Sequence, residues 1–171
     1  MKLKIKVKRI NKELPLPCVI KKGDWIDLRA AETIELTAPH ANSLKEKARK
    51  VEFDTKLIKL GIAMQLPDGF EAMVLPRSSI FKNFGIMLVN SEGVIDQEYR
   101  GDTDEWRFGA IALKDTVINK GDRICQFRIQ LSQKATFWQK LKWLFSSGIE
   151  IVEVDSLEGE GRGGIGTTGV N

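Results

Sequence analysis

The chain opens with a strict alternation in which Lys2, Lys4, Lys6 and Lys8 interleave with Leu3, Ile5 and Val7. Successive side chains of a β-strand point to opposite faces, so this pattern buries one apolar face and leaves a row of ammonium groups on the other. It lacks the continuous apolar stretch of a signal peptide. Short apolar or alternating runs then recur at 33–36, 57–66, 71–75, 108–113, 124–130 and 149–154. Between them stand turn signals such as Leu66-Pro67-Asp68-Gly69 and Asn119-Lys120-Gly121-Asp122, where Pro presets φ and Gly accepts the left-handed region. Many short strands separated by such turns predict an all-β sandwich, jelly roll or barrel.

Two segments break the pattern. Residues 40–50, rich in Lys, Ala and Glu, read as an inserted polar helix or loop. In the second, near 136–146, Phe137, Trp138, Leu141, Leu144 and Phe145 recur at helical spacing, with Thr136 and Gln139 placed as a capping box. That helix is expected to pack on the sheet or on a neighbouring subunit. The alternative is a basic membrane-surface or partner-binding helix using Lys134, Lys140, Lys142 and an exposed Trp143. Past Val154 the composition turns to Gly, Glu, Ser and Thr, so residues 1–155 are expected to form the β domain and 156–171 a flexible glycine-rich arm. At 171 residues, one core without staples suffices. Cys18 and Cys125, far apart and without a pairing pattern, point to a reducing, cytoplasmic setting.

Several chemistries are excluded. The one histidine, His40, has no triad or zinc-ligand companion nearby in sequence and reads as a surface residue. Gly164-Ile165-Gly166-Thr167-Thr168-Gly169 matches a dinucleotide fingerprint formally, but it follows no βαβ unit. Hard-cation chemistry with carboxylates remains open. The net charge of +4 is compatible with a polyanionic ligand without demanding one.

Four constellations can carry such chemistry. Pro76-Arg77-Ser78-Ser79 follows a predicted strand and sets a guanidinium and two hydroxyls at its end. Gly93-Val94-Ile95-Asp96-Gln97-Glu98-Tyr99 delivers a carboxylate and, three residues on, an aromatic ring able to support a sugar. Gly121-Asp122-Arg123-Ile124-Cys125-Gln126 opens a strand, with Asp122 and Arg123 expected as a structural ion pair and Gln126 facing a ligand. In the tail, Arg162, Thr167 and Thr168 offer a guanidinium and hydroxyls to phosphate oxygens.

Taken in this order, and with Ile26-Asp27-Leu28-Arg29-Ala30 before them, these segments resemble the five ordered motifs of the homotrimeric dUTPase family, in its bacterial and phage form. The resemblance implies a jelly-roll subunit, a homotrimer whose sites are each built from all three chains, dUTP as substrate and Mg²⁺ as cofactor. It implies that Asp27 positions the hydrated metal ion and that Arg77, Ser78, Ser79 and Gln126 bind phosphates. Asn90 and the backbone from Gly93 through Val94 and Ile95 would read the uracil edge. Asp96 would be the base that activates water, and Tyr99 the platform beneath deoxyribose that excludes a 2′-hydroxyl. Arg162, Thr167 and Thr168 would capture the terminal phosphates.

Two departures stand out. Asp24-Trp25 replaces the usual Ala-Gly pair, and Ile165 stands where the family has a Phe that stacks over uracil, with Arg162 three rather than five residues before it. Trp106 or Phe108 is the expected stand-in for that ring. The competing readings are a dCTP-directed enzyme of the same fold, or a non-catalytic nucleotide-binding trimer that regulates a protein partner through the inserted helix.

Overall fold

The computed structural model describes residues 1–20, 23–41 and 50–163. Strand β1 (Leu3–Arg9) lies between β14 (Ile149–Glu153), which runs parallel to it, and β7 (Ile62–Gln65), which runs antiparallel. Leu3, Ile5 and Val7 are fully buried, as the alternation predicts. On the other face Lys6 meets Glu158 at 2.8 Å and Lys8 meets Asp102 at 2.9 Å.

A four-stranded antiparallel sheet runs in the order β10 (Gly93–Ile95), β8 (Phe70–Pro76), β13 (Arg123–Leu131) and β2 (Ile26–Arg29). A third sheet sets β11 (Arg107–Ala112) between β6 (Thr55–Lys59) and β9 (Ile86–Leu88). Two pairs complete the strands, β3 (Ile34–Leu36) with β12 (Thr116–Ile118) and β4 (His40–Ala41) with β5 (Val51–Glu52). The last pair brackets the expected insertion at 40–50, of which 42–49 lie outside the described residues. His40 is exposed there, as expected.

One apolar cluster receives an inward face from each of the three larger sheets. Trp106 and Phe127 meet edge to face at its centre, 5.3 Å apart, the arrangement favoured by the ring quadrupoles. Phe70 and Phe108 are buried with them.

Two local departures from the sequence expectation have clear causes. The run 57–66 divides into β6 and β7 because Gly61 takes φ +68, a left-handed conformation that no strand can carry through. On β13 the register to β2 slips between Arg123 and Cys125, so adjacent Ile124 and Cys125 are both buried and Arg123 is turned outward.

The helix α2 (Phe137–Leu144) carries the predicted capping box, with the Thr136 side chain accepting from the Gln139 N–H and the Gln139 side chain accepting from the Thr136 N–H. Of the two packings expected for its apolar stripe, on the sheet or on a neighbouring subunit, the first is made within this chain only in part. Phe137, Trp138, Leu144 and Phe145 all point away from the chain. Trp143 is exposed, as the membrane-surface or partner-binding alternative expects, although its ring also meets Phe70 at 5.4 Å. The short helix α1 (Ile80–Phe84) follows β8 and ends at Gly85.

Removing the ring of Phe127 leaves a cavity against Trp106, and Phe127→Ala is expected to cost about 3–5 kcal/mol. Thr136→Ala removes one cap at the surface and is expected to cost about 1 kcal/mol. Urea denaturation of both variants checks the ranking, and equal costs would contradict this account of the core.

Candidate active site

The β2–β13–β8 register brings the first, second and fourth of the five motifs to one edge of the four-stranded sheet. Gln126 lies between Asp27 on one side and Leu75 on the other, and Pro76-Arg77 continues past Leu75. Asp27 faces away from the core because Ile26 and Leu28 on either side face into it. Its carboxylate is shared: Arg77 Nε donates to Oδ1 at 2.8 Å and Arg123 Nη1 donates to Oδ2 at 2.9 Å. Asp27 is 20% exposed, half-buried enough for these charge-assisted bonds to matter. The cluster carries a surplus positive charge, since two guanidiniums meet one carboxylate.

The ion pair expected between Asp122 and Arg123 is not formed. The Asp122 carboxylate instead accepts from the Asn119 N–H at 2.9 Å and closes its own turn, because the β13 bulge directs Arg123 across to Asp27. The Asp24-Trp25 departure also has a structural purpose, since the Arg128 guanidinium sits 5.5 Å from the Trp25 ring and 3.8 Å from the Asp24 carboxylate. Ser78 is exposed and Ser79 half-buried at the turn that follows Arg77, where Ser79 is the N-cap of α1 without a side-chain cap bond. A cleft of about 220 Å³ opens beside the cluster, and Asp27, Arg29, Arg123, Pro17 and Cys18 are among the residues that line it.

The third motif lies on β10 and the turn beyond it. Gly93, Val94 and Ile95 pair with Val74, Met73 and Ala72, and Asn90 is exposed in the turn before them. Asp96 then leaves the sheet, its Oδ1 accepting from the Glu98 N–H at 2.9 Å while its backbone carbonyl accepts from the Tyr99 N–H at 3.0 Å. This local turn fixes the carboxylate and leaves it 55% exposed. Tyr99 packs against the core, and its hydroxyl donates to the Glu105 carbonyl at 2.9 Å. Burial, reinforced by the Asp104 charge, raises the Tyr99 pKa, so the ring remains a neutral platform.

Arg162 reaches the same place, its Nη1 lying 3.5 Å from Asp96 Oδ2. Thr167, Thr168 and Ile165 lie outside the described residues. Trp106 and Phe108, the expected stand-ins for the uracil-stacking ring, are corrected: both are completely buried in the core, since inward positions of strand β11 and its entry claim them.

These two groups of residues do not meet within one chain. Ile95 pairs with Ala72, so Asp96 stands level with Glu71, whereas Arg77 lies six residues farther along β8, roughly 20 Å away at 3.3 Å per residue.

A protein-family profile described as dUTPase matches residues 40–141. The chain belongs to the dUTPase family. It is 45% identical over 98% of its length to the SPbeta prophage-derived deoxyuridine 5'-triphosphate nucleotidohydrolase of Bacillus subtilis (strain 168), 99% of which is covered. Among solved structures, the dUTPase of Streptococcus mutans superposes with a TM-score of 0.56 at 21% identity, over 70% of this chain and 91% of that one. A dUTPase of phage phi11 of S. aureus, whose structure is described as revealing the coordination of a structural Mg(II) ion, gives a TM-score of 0.59 at 16% identity, over 78% and 94%. The jelly-roll reading of the dUTPase fold is thereby shared with these structures.

Of the residues named from the sequence, the fold brings Asp27, Arg77 and Gln126 together and places Asp96 and Tyr99 apart from them, and Arg123 joins as a second partner of Asp27 that the sequence did not signal. Nothing at positions 122–123 signals a partner 96 residues away. Asp27→Asn, which keeps the shape and removes the charge, is expected to leave both guanidiniums undercompensated. A loss of about 1–3 kcal/mol in chemical denaturation is anticipated, and an unchanged midpoint would show that the cluster does not stabilise the fold.

Proposed function

We infer that this dUTPase-family protein hydrolyses dUTP to dUMP and pyrophosphate by attack of water on the α-phosphorus, in the cytoplasm. The observation that carries the reading is the Asp27–Arg77–Arg123 cluster with Gln126 beside it, a cationic edge suited to a triphosphate. Asp96, held by its own turn and open to solvent, takes a proton from water as the new oxygen–phosphorus bond forms and the bond to the bridging oxygen breaks. Pyrophosphate leaves with the electron pair of that bond. Tyr99 supports the deoxyribose from below, and Asn90 with the backbone of Gly93, Val94 and Ile95 reads the uracil edge. Arg77, Ser78, Ser79 and Gln126 hold phosphate oxygens, and Arg162, Thr167 and Thr168 close over the terminal ones.

The residues fit a magnesium ion bound mainly through the substrate. Among the described residues no three His, Cys, Asp or Glu side chains gather into a protein cage, while Asp27 keeps lone pairs free to accept from a metal-bound water. Bound there, the ion would neutralise charge on the triphosphate.

Separation of the two groups by roughly 20 Å along β8 supports a site completed between chains, and so the homotrimer. The outward face of the β6–β11–β9 sheet offers a seam for it, since Leu57, Met87 and Val89 are exposed around Gly109. Residues 156–171 act as the arm of the 1–155 domain. The dCTP-directed and non-catalytic alternatives are not favoured.

Asp96→Asn is expected to retain dUTP binding while turnover falls by about two to four orders of magnitude, the scale of general-base catalysis. Pyrophosphate release from dUTP, dCTP, dTTP and UTP, with magnesium and then with chelator, tests this. Equal turnover of dCTP, or near-normal turnover in Asp96→Asn, would overturn the assignment.

A second role is supported by α2, whose outward apolar stripe is edged by exposed Lys140 and Lys142. This helix is proposed as the docking element for a protein partner with an acidic, apolar contact face. Replacing Phe137 and Trp138 with Ser is expected to leave dUTP turnover and oligomer mass unchanged, as measured by light scattering. Dissociation of the oligomer would instead assign the stripe to contact between copies of the chain.

A further inference from the structure

The turn that carries Asn90 is held in a conformation its residues do not favour. Ser91 is the one non-glycine residue with a positive φ among the described residues, at +62. A side chain crowds the backbone there, so the conformation costs energy in any residue but glycine. Across Ser91 the Glu92 N–H donates to the Asn90 carbonyl and closes a three-residue turn. Such a turn with a positive φ at its centre is the rare and strained kind. Ser91 is itself exposed, so no packing of its side chain into the core offsets the strain.

The tightness has a geometric cause. Val89 makes the last bond to the third sheet, its N–H donating to the Gly109 carbonyl at 2.9 Å, and Gly93 opens the pairing of β10 with Val74 on β8. Only Asn90, Ser91 and Glu92 carry the chain from one sheet to the other.

Beneath this turn β11 bears no side chain. Phe108 and Ala110 face the core, so Gly109 between them faces outward, yet it is buried under its neighbours. A Cβ on Gly109 would lie 2.7 Å from Val89 Cγ2, 3.5 Å from Leu57 Cδ2 and 3.6 Å from Asn90 Oδ1. The first contact is closer than side-chain carbons pack. The bare backbone of Gly109 is thus the space that Val89 occupies, and the Asn90 amide rests beside it.

Resting on the dUTP reading of the site, we propose that Ser91 and Gly109 are positioning residues that set base selectivity by fixing the orientation of the Asn90 amide. A carboxamide offers an acceptor on one side and donors on the other. Uracil presents a donor at N3 and an acceptor at O4, whereas cytosine presents an acceptor at N3 and a donor at N4. An amide free to turn over therefore suits either base, and only one held in a single orientation rejects cytosine. Ser91 fixes the backbone from which Asn90 departs, and Gly109 fixes the surface against which its amide lies. The strain at Ser91 is in this way part of the site's preorganisation.

Calorimetric titration of the full-length protein with the α,β-imido analogues of dUTP and dCTP, in magnesium, tests the proposal without turnover. Ser91→Val places a β-branched side chain where φ must be positive and is expected to reduce the preference for the uracil analogue by about tenfold, the worth of one hydrogen bond. Ser91→Gly takes the same φ without strain and is expected to keep the preference within about threefold. Gly109→Ala is expected to reduce it as Ser91→Val does, by displacing Val89. Adding Val89→Ala removes the methyl that the new Cβ meets and is expected to restore it. The Gly109 pair reports even if Ser91→Val does not fold, and light scattering checks that each variant keeps its oligomer mass.

Equal weakening of both analogues in Ser91→Val and Gly109→Ala would make the two residues merely structural and overturn the proposal, as would failure of Val89→Ala to restore the preference. An unaltered protein that prefers the uracil analogue, with variants that keep this preference, would refute the positioning and leave the dUTP reading intact. An unaltered protein that binds neither analogue, or both alike, would refute the dUTP reading and the proposal with it.

Discussion

Strand β8 sets the geometry on which the rest of the molecule depends, because it is extended, buried on one face and paired on both edges. Its start aligns with Asp96 through β10 and its end delivers Arg77 to Asp27 beside β13. An extended strand held in a sheet cannot shorten, so no side-chain rotation brings those two ends together. In the proposed reading, a triphosphate that needs both a cationic edge and a general base finds them on different copies of the chain. On this view oligomerisation is a condition of catalysis rather than an addition to it, and the exposed apolar residues of the β6–β11–β9 sheet supply the means.

Charge is arranged to serve that geometry. The Asp27 carboxylate holds Arg77 and Arg123 at one place, one on each oxygen, and leaves one positive charge in surplus for an anionic ligand. At the other end Asp104 works in the opposite sense, as a buried anion satisfied by backbone N–H groups alone. A salt bridge in that position would tie the loop to one mobile side chain. One amide donor, Gly101, closes the loop on itself and the other, Arg162, ties it to the main chain of the C-terminal segment.

Much of this was legible in the sequence, and the reason is periodicity. The lysine alternation of β1, the Pro-Asp-Gly turn and the Thr136–Gln139 capping box are local patterns, and each is present in the fold. The ordered motifs gave Asp27, Arg77, Asp96, Tyr99 and Gln126 as site candidates. What was not legible is long-range or one residue out of register. The β13 bulge turns Arg123 away from Asp122, and the Lys8–Asp102 tie spans most of the chain. The orientation of α2 also escaped, because helical spacing shows that a stripe exists but not which way it faces.

The fate of the aromatic candidates carries one more consequence. Trp106 and Phe108 are committed to the core, where Trp106 meets Phe127, and releasing either would open the centre of the fold. With Ile165 in place of the family's Phe, stacking over the base cannot come from these rings. Base stacking of this kind is worth about 1–3 kcal/mol, so its loss weakens affinity by about one to two orders of magnitude. Discrimination suffers less, because a site that reads a hydrogen-bonding edge rejects the wrong base by leaving buried polar groups unpaired. In the proposed reading that edge is read by Asn90 and the β10 backbone, which pairs with β8 on its other side and cannot shift independently of it. In that reading, selectivity for the base rests on the hydrogen-bonding edge and not on an aromatic cover.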